Sequence, residues 1–366
     1  MQFDAIILAG GAGKKRHTRS ENRRNLLTID GKSTLLYLTI IRALTLSPHR
    51  LIIISDKESL TDVKVEVDKV KRSKEYLDLI EKQDIVFVVI TEPECKGSAP
   101  AVALGAYVLN HPNNHNVTLL MPSDKIIINS NNFFKQAIKS AYTIARKGYM
   151  ITLGIAPKRP ATSYDYIETD NKKSKKWYTI KSFKHRPDAE SANAYFKDEN
   201  YYYNSSILVF KPSDMVAELN KHMPEFSLKM RKVAGYKIAD HKFDTVLTEI
   251  YSALEPISIE NGLFERSKNA AVIPTSLKWI DLSSWSHLVD EGVKHPSEED
   301  SYENVVCLNT QFSAAKSDNT CVKVLGVEGF MVVDTNKELL VCDKENAEDV
   351  KALGSMIGES EMSKFV

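Results

Sequence analysis

The chain has 366 residues, with 49 Lys and Arg against 48 Asp and Glu, for a formal net charge of +1. That length suits a large core and two domains, and the near-neutral balance excludes a global field favouring nucleic acid or an anionic membrane. Cys95, Cys307, Cys321 and Cys342 form no C-x-x-C pair, which argues against zinc and dithiol chemistry. With no signal peptide and no long apolar stretch, a cytosolic protein with reduced thiols is the expectation.

The first element is a buried strand, Ala5-Ile6-Ile7-Leu8-Ala9, followed by Gly10-Gly11-Ala12-Gly13. Glycines there turn the backbone tightly and bare its amides to an anion. Lys14, Lys15, Arg16, Arg19, Arg23 and Arg24 come next. A strand, a glycine turn and clustered cations suit a polyphosphate. The P-loop pattern fails, because Gly13-Lys14 is followed by Lys15 and the residue before Gly31 at the required spacing is Leu26. The dinucleotide fingerprint fits Gly11 and Gly13 but fails at Arg16.

Ser33 can cap a helix carrying Leu35, Leu36, Leu38, Ile41 and Leu44. Leu51–Ile54 is a strand, residues 56–82 are helical in two pieces, and Ile85–Val89 is another strand. This alternation predicts a parallel sheet with helices on both faces. Ser98 can cap the next helix, with Pro100 in its first turn and free amides suited to a phosphate or a base edge. Val117–Met121 is a central strand that delivers Asp124 to its carboxyl end, where ligands bind in open α/β sheets. A helix from about Asn131 to Arg146 and a strand Tyr149–Ile155 follow. A hairpin then pairs the 160–168 segment with Trp177–Phe183. Tyr202–Ser206 leads into a strand Ile207–Phe210, and helices start at Pro212, running through Leu219, and after Pro224. Beyond the charged linker at 296–300, short alternating runs at Val305–Cys307, Cys321–Val324, Phe330–Val333 and Leu339–Cys342 predict a small β-rich domain, with a helix near Asn346.

The run Leu8-Ala9-Gly10-Gly11-Ala12-Gly13 with its basic loop resembles the signature of sugar-phosphate nucleotidyltransferases, most closely the mannose-1-phosphate guanylyltransferase branch. That branch reads GGSGTRLWPLSR and then PKQFL, so Lys15 takes the Arg position and Arg23-Arg24-Asn25 takes Pro-Lys-Gln. Further matches follow in order. Lys96-Gly97-Ser98-Ala99-Pro100 resembles RNTAPA, and Pro122-Ser123-Asp124-Lys125 resembles P-A-D-H. Pro160 to Ile167 resembles P-E-T-G-Y-G-Y-I, with Ser163 and Asp165 for its glycines. Phe183 to Asp188 resembles F-x-E-K-P-D, with His185 for Glu and Arg186 for Lys. Asn204-Ser205 resembles W-N-S-G, Ser258-Ile259-Glu260 resembles S-I-D, and Phe264-Glu265-Arg266 resembles M-E-K. Trp279 to Trp285 resembles W-x-D-V-G-S-W, with Ser283 for Gly.

The resemblance implies an α/β fold: a Rossmann-like mixed, mostly parallel sheet flanked by helices in residues 1–295, and a small left-handed β-helix-like domain in 296–366. It implies catalytic roles for Lys15, Arg24, Asp124 and Asp281, the two aspartates sharing a Mg²⁺. It implies nucleotide binding by Leu8, Ala9, Gly10, Gly11, Gly13, Lys96 and Ser98. Glu168, Arg186, Asn204, Glu265 and Arg266 are the implied sugar-phosphate contacts. The expected partners are GTP or another nucleoside triphosphate and a sugar 1-phosphate, with no nucleic acid and no membrane. A β-helix of this family often serves as an oligomer contact, so a homodimer is the assembly to test. Because the departures cluster in the site, a second reading stands beside the enzyme: a catalytically weakened homologue that binds a nucleotide sugar as a regulatory or partner subunit.

Overall fold

A computed structural model describes residues 2–10, 24–26, 33–80, 84–127, 130–170, 176–281, 305–308, 314–316, 322–325, 330–334 and 339–343. The described residues fall into two compact units, one ending at Trp279 and the other beginning at Ile280. The expected turn Gly11–Gly13, Lys15, the linker at 296–300 and the helix near Asn346 lie outside the described residues.

In chain order the first eleven described strands are β1 (Phe3–Leu8), β2 (Arg50–Asp56), β3 (Val86–Glu92), β4 (Val117–Pro122), β5 (Lys125–Ile127), β6 (Met150–Ile155), β7 (Tyr166–Thr169), β8 (Tyr178–Lys184), β9 (Tyr201–Phe210), β10 (Ala270–Thr275) and β11 (Trp279–Asp281). The helices are α1 (Leu35–Leu44), α2 (Leu60–Lys71), α3 (Lys74–Ile80), α4 (Ser98–Leu109), α5 (Asn131–Ala145), α6 (Ala189–Lys197), α7 (Pro212–His222), α8 (Pro224–Met230) and α9 (Phe243–Ser252). A nine-stranded sheet runs in the order β3-β2-β1-β4-β9-β6-β10-β8-β7.

The β3-β2-β1-β4 part is parallel throughout, with Leu8 opposite Ile54 and Pro122, and Ile54 opposite Ile90. The sheet is nonetheless mixed, because β9 runs antiparallel to both neighbours, β4 and β6. Helices cover both faces, and the strands are near-continuous apolar runs for that reason. Ala5 and Ile7 face Leu36, Ile40, Val63 and Ile138 on one side. Ile6, Ile52 and Ile54 face Val102, Leu104, Met215 and Leu247 on the other.

Several boundaries differ from those expected. Thr34, not Ser33, caps α1, its side chain accepting from the Tyr37 amide at 3.1 Å. The buried stripe of α1 is Leu35, Leu36, Thr39, Ile40, Ala43 and Leu44, leaving Leu38 exposed. Gly97, not Ser98, is the N-cap of α4. β9 starts at Tyr201 rather than Ile207, since Tyr201, Tyr202 and Tyr203 pair with β7. The helices α6 and α9 were not anticipated, and neither was β5.

In the second unit, β12 (Val305–Leu308) pairs parallel with β14 (Val322–Leu325), and β13 (Ala314–Lys316) pairs parallel with β15 (Phe330–Asp334). Both pairings share one sequence offset, Val305 to Val322 and Ala314 to Met331. Strands that stack on their counterparts one repeat later make a β-helix-like coil. β16 (Leu339–Asp343) closes it antiparallel to β15. β13 is too short and too poor in branched residues to read as a strand from sequence.

Candidate active site

The parallel registers bring the carboxyl ends of β1, β2, β3 and β4 to one edge of the sheet. β6 points the same way, because β9 is antiparallel to both β4 and β6. Four sequence-distant groups therefore share this edge: the Leu8–Gly10 exit, Asp56, Glu92 and the Ser123-Asp124 pair. Ser123 locks two of these together, its amide and its Oγ both donating to the Leu8 carbonyl, at 3.0 and 2.8 Å. The side chain of Asn25 donates through Nδ2 to the Ala9 carbonyl at 2.9 Å, and Asn25 is buried. Both carbonyls at the exit of β1 are thus consumed by the protein.

Gly10 is required by a close approach. A Cβ there would lie 2.9 Å from the Asp56 amide nitrogen and 3.5 Å from Glu92 Oε2. Behind it, Glu92 is buried and accepts from the Tyr251 hydroxyl at 2.9 Å. Burial, with the Asp56 charge adding to it, pushes the Glu92 carboxyl up to about 7 despite that bond.

Asp124 follows β4 with its side chain 20% exposed, and its Oδ1 lies 3.3 Å from Lys125 Nζ. Lys125 Nζ stands 5.9 Å from the centre of the Trp279 ring. The described residues hold no cluster of three or more metal-ligating side chains. A hard divalent cation that also takes phosphate and water oxygens needs only one or two carboxylates, and the partly exposed Asp124 fits that demand. Asp281 ends β11, and its side chain lies outside the described residues, as does that of Arg24.

At the start of α4 the expected free amides are partly spent. Ala99 N donates to the Ile257 carbonyl at 3.2 Å, Ile257 N donates to the Lys96 carbonyl at 2.9 Å, and Pro100 has no N–H. Lys96 Nζ pairs with Glu94 at 3.2 Å. Ser98 Oγ donates to Glu260 Oε2 at 3.2 Å and accepts from Ile259 N at 2.9 Å.

Across the sheet, Asn204 is buried. Its Oδ1 accepts from Thr152 Oγ1 (3.3 Å) and Ser206 N (3.0 Å), and its Nδ2 donates to Glu260 Oε1 at 3.1 Å. Glu168 on β7 receives Lys181, Ser182 Oγ (2.8 Å) and Lys184 Nζ (3.1 Å). Burial raises its carboxyl, and those three bonds outweigh the burial and hold it at about 2. Arg186 and Arg266 are exposed, while Glu265 Oε1 accepts from Phe183 N at 2.7 Å.

The substitutions at 165 and 185 meet each other. His185 Nδ1 lies 2.7 Å from Asp165 Oδ1, and Arg186 N donates to the same oxygen at 3.2 Å. Arg186 sits at a φ of 38°, in the left-handed region, and the Asp165 bond holds that turn. Asp165 therefore shapes the loop bearing Arg186 instead of standing as an isolated obstruction.

A carboxylate and a glycine exit thus stand side by side on the carboxyl edge of a mixed sheet. The nucleotidyl transferase family matches residues 4–297. The chain belongs to that family. A MannoseP isomerase/GMP-like beta-helix domain matches residues 303–354, the segment in which β12 to β16 lie. Nucleotidyltransferases of this kind join a nucleoside triphosphate to a sugar 1-phosphate and generally use a divalent metal. The mannose-1-phosphate guanylyltransferase RfbM of Salmonella typhimurium is 28% identical over 377 aligned positions, covering 100% of this chain and 74% of the relative. The mannose-1-phosphate guanylyltransferase of Salmonella muenchen is 28% identical over 351 positions, covering 94% and 71%. In fold, the nucleotidyltransferase is similar to the crystal structure of mannose-1-phosphate geranyltransferase from Thermus thermophilus. The TM-score is 0.79 at 24% identity, over 98% of this chain and 100% of that one. No described helix is long and apolar enough to cross a membrane.

Sequence reasoning missed Glu92, Asn25 and the role of Glu260. The one available signal was a carboxylate directly before Pro93 at a strand end. Burial and partner assignment are invisible without the fold.

Proposed function

We propose that this chain transfers the guanylyl group of GTP to mannose 1-phosphate, releasing GDP-mannose and pyrophosphate. The observation that carries this reading is similarity to mannose-1-phosphate guanylyltransferases along the whole chain, through both the catalytic and the β-helix segments. Asp124 beside the Leu8–Gly10 exit supports it, since phosphates seek amides and a metal-binding carboxylate at such a sheet edge.

In this reading a phosphate oxygen of mannose 1-phosphate attacks the α-phosphorus of GTP in line, and the bond to pyrophosphate breaks. The amides of Gly10, Gly11 and Gly13, with Lys15 and Arg24, hold the triphosphate and the leaving pyrophosphate. Lys96 and Ser98 stand on the nucleotide side. Arg186, with Arg266, offers the sugar phosphate its cationic contacts, and an Arg fork can take a phosphate bidentately. Asn204, Glu168 and Glu265 frame the sugar. We assign Asp124 and Asp281 to Mg²⁺, which when bound would orient the phosphates and offset their charge. A cytosolic location and a homodimer complete the proposal.

The test is pyrophosphate release from GTP and mannose 1-phosphate with Mg²⁺, with ATP, UTP, CTP, dTTP and glucose 1-phosphate as controls. Release with the first pair above the others is expected. No release with any pair, from folded protein that still binds GDP-mannose, would overturn the enzyme reading in favour of a sensor or partner subunit.

A further inference from the structure

One turn of chain touches three parts of the site at once. Residues Glu260–Phe264 form a π-helix, a rare geometry that recurs at functional positions. Its first residue spends both carboxylate oxygens on groups far apart in sequence. Oε2 accepts from Ser98 Oγ at 3.2 Å, and Oε1 accepts from Asn204 Nδ2 at 3.1 Å. The preceding residue, Ile259, donates its amide to the same Ser98 Oγ at 2.9 Å. Just past the turn, Glu265 Oε1 takes the Phe183 amide at 2.7 Å, on β8 ahead of the His185-Arg186 loop.

Ser98 opens α4, whereas Asn204 lies in β9. A serine hydroxyl has one proton to donate, and here it goes to Glu260. The carboxyl is desolvated enough that burial pushes it above its ordinary range. A half-buried carboxylate with both oxygens engaged is held by its partners and in turn fixes them.

We propose that Glu260 is a positioning residue that couples the two substrate subsites, holding Ser98 on the nucleotide side and Asn204 on the sugar side through one carboxylate. The inference rests on the subsites assigned under the proposed function. Its consequence is that a change at Ser98 is felt by the sugar phosphate, although Ser98 belongs to the nucleotide side.

The experiment is isothermal titration of the full chain with GTP and, separately, with mannose 1-phosphate, for wild type, Ser98→Ala, Glu260→Gln and Glu260→Ala. Groups sharing one hydrogen-bond network couple, so Ser98→Ala should raise the Kd for mannose 1-phosphate about threefold or more. Glu260→Ala should weaken both ligands. Glu260→Gln should restore most of that loss, because its oxygen can accept from Asn204 while its amide donates to Ser98 Oγ. Ser98→Ala that alters GTP alone overturns the coupling, as does folded Glu260→Ala that binds both ligands like wild type. If Glu260→Ala does not fold, Ser98→Ala decides. Wild type that binds both ligands but releases no pyrophosphate counts against guanylyl transfer, and the titrations still read the coupling. Wild type that binds neither overturns both.

Discussion

Replacing Gly97 by alanine should cost this protein far more than a typical glycine substitution. Gly97 has φ 89° and ψ −174°, a region that is essentially reserved for glycine. Forcing a side chain there costs about 1–3 kcal/mol. The added Cβ would also lie 2.8 Å from the Ile257 carbonyl carbon and 3.1 Å from its nitrogen, with the carbonyl oxygen nearer still. These are backbone atoms, which cannot rotate away as a flexible side chain can. Overpacking of this kind adds about 1–3 kcal/mol. The sum, about 2–6 kcal/mol, is a large part of the roughly 5–15 kcal/mol that holds a typical domain. The chain can escape the clash only by opening the Lys96–Ile257 and Ala99–Ile257 bonds, at 2.9 and 3.2 Å, which also seat Ser98. Gly148 is the internal control: its φ is 95°, and nothing lies within 4 Å of its added Cβ. Gly148→Ala should therefore carry only the backbone part. Urea unfolding of wild type, Gly97→Ala and Gly148→Ala reads the difference. Equal losses in the two variants would refute the contact argument. A loss below about 1 kcal/mol at Gly97 would refute the conformational one as well.

Glu92 gives a pH signature. Its folded pKa of about 7 lies above the unfolded value of 4.5, so between those values the folded state binds the extra proton and stability falls as pH rises. Glu92→Gln should flatten stability between pH 5 and 7.5 and exceed wild type at pH 8, by up to about 3 kcal/mol; denaturation midpoints that track wild type across that range would contradict the assignment. His185→Glu alone sets a second carboxylate against Asp165, now 2.7 Å from the ring nitrogen, and should raise KM for mannose 1-phosphate. Adding Asp165→Gly should recover part of that loss, and a double variant no better than the single would argue against the pairing. Asp124→Ala should keep the fold and lose about 10²–10³ or more in kcat for pyrophosphate release; unchanged turnover would remove Asp124 from the site.

Much of this protein could be read from its residues in order. The apolar runs at Ile6, Ile52 and Leu119 announced buried strands, because a strand covered on both faces has no polar side to alternate. Asp124 could be placed just past its strand because the apolar run Val117–Met121 stops there. The order of short motifs then carried the family. What remained hidden were relations between distant segments. The antiparallel entry of β9 between β4 and β6 depends on pairing energies that no single strand contains. Ser98 looked like a cap because cap residues are chosen locally, yet Glu260, far along the chain, claims its hydroxyl. Asp165 and His185 each looked like a loss from the site, and only their meeting at 2.7 Å makes them a pair. Propensity and pattern act within a few residues and are written in the sequence directly. Burial, hydrogen-bond partners and shifted proton affinities depend on which segments the fold brings together.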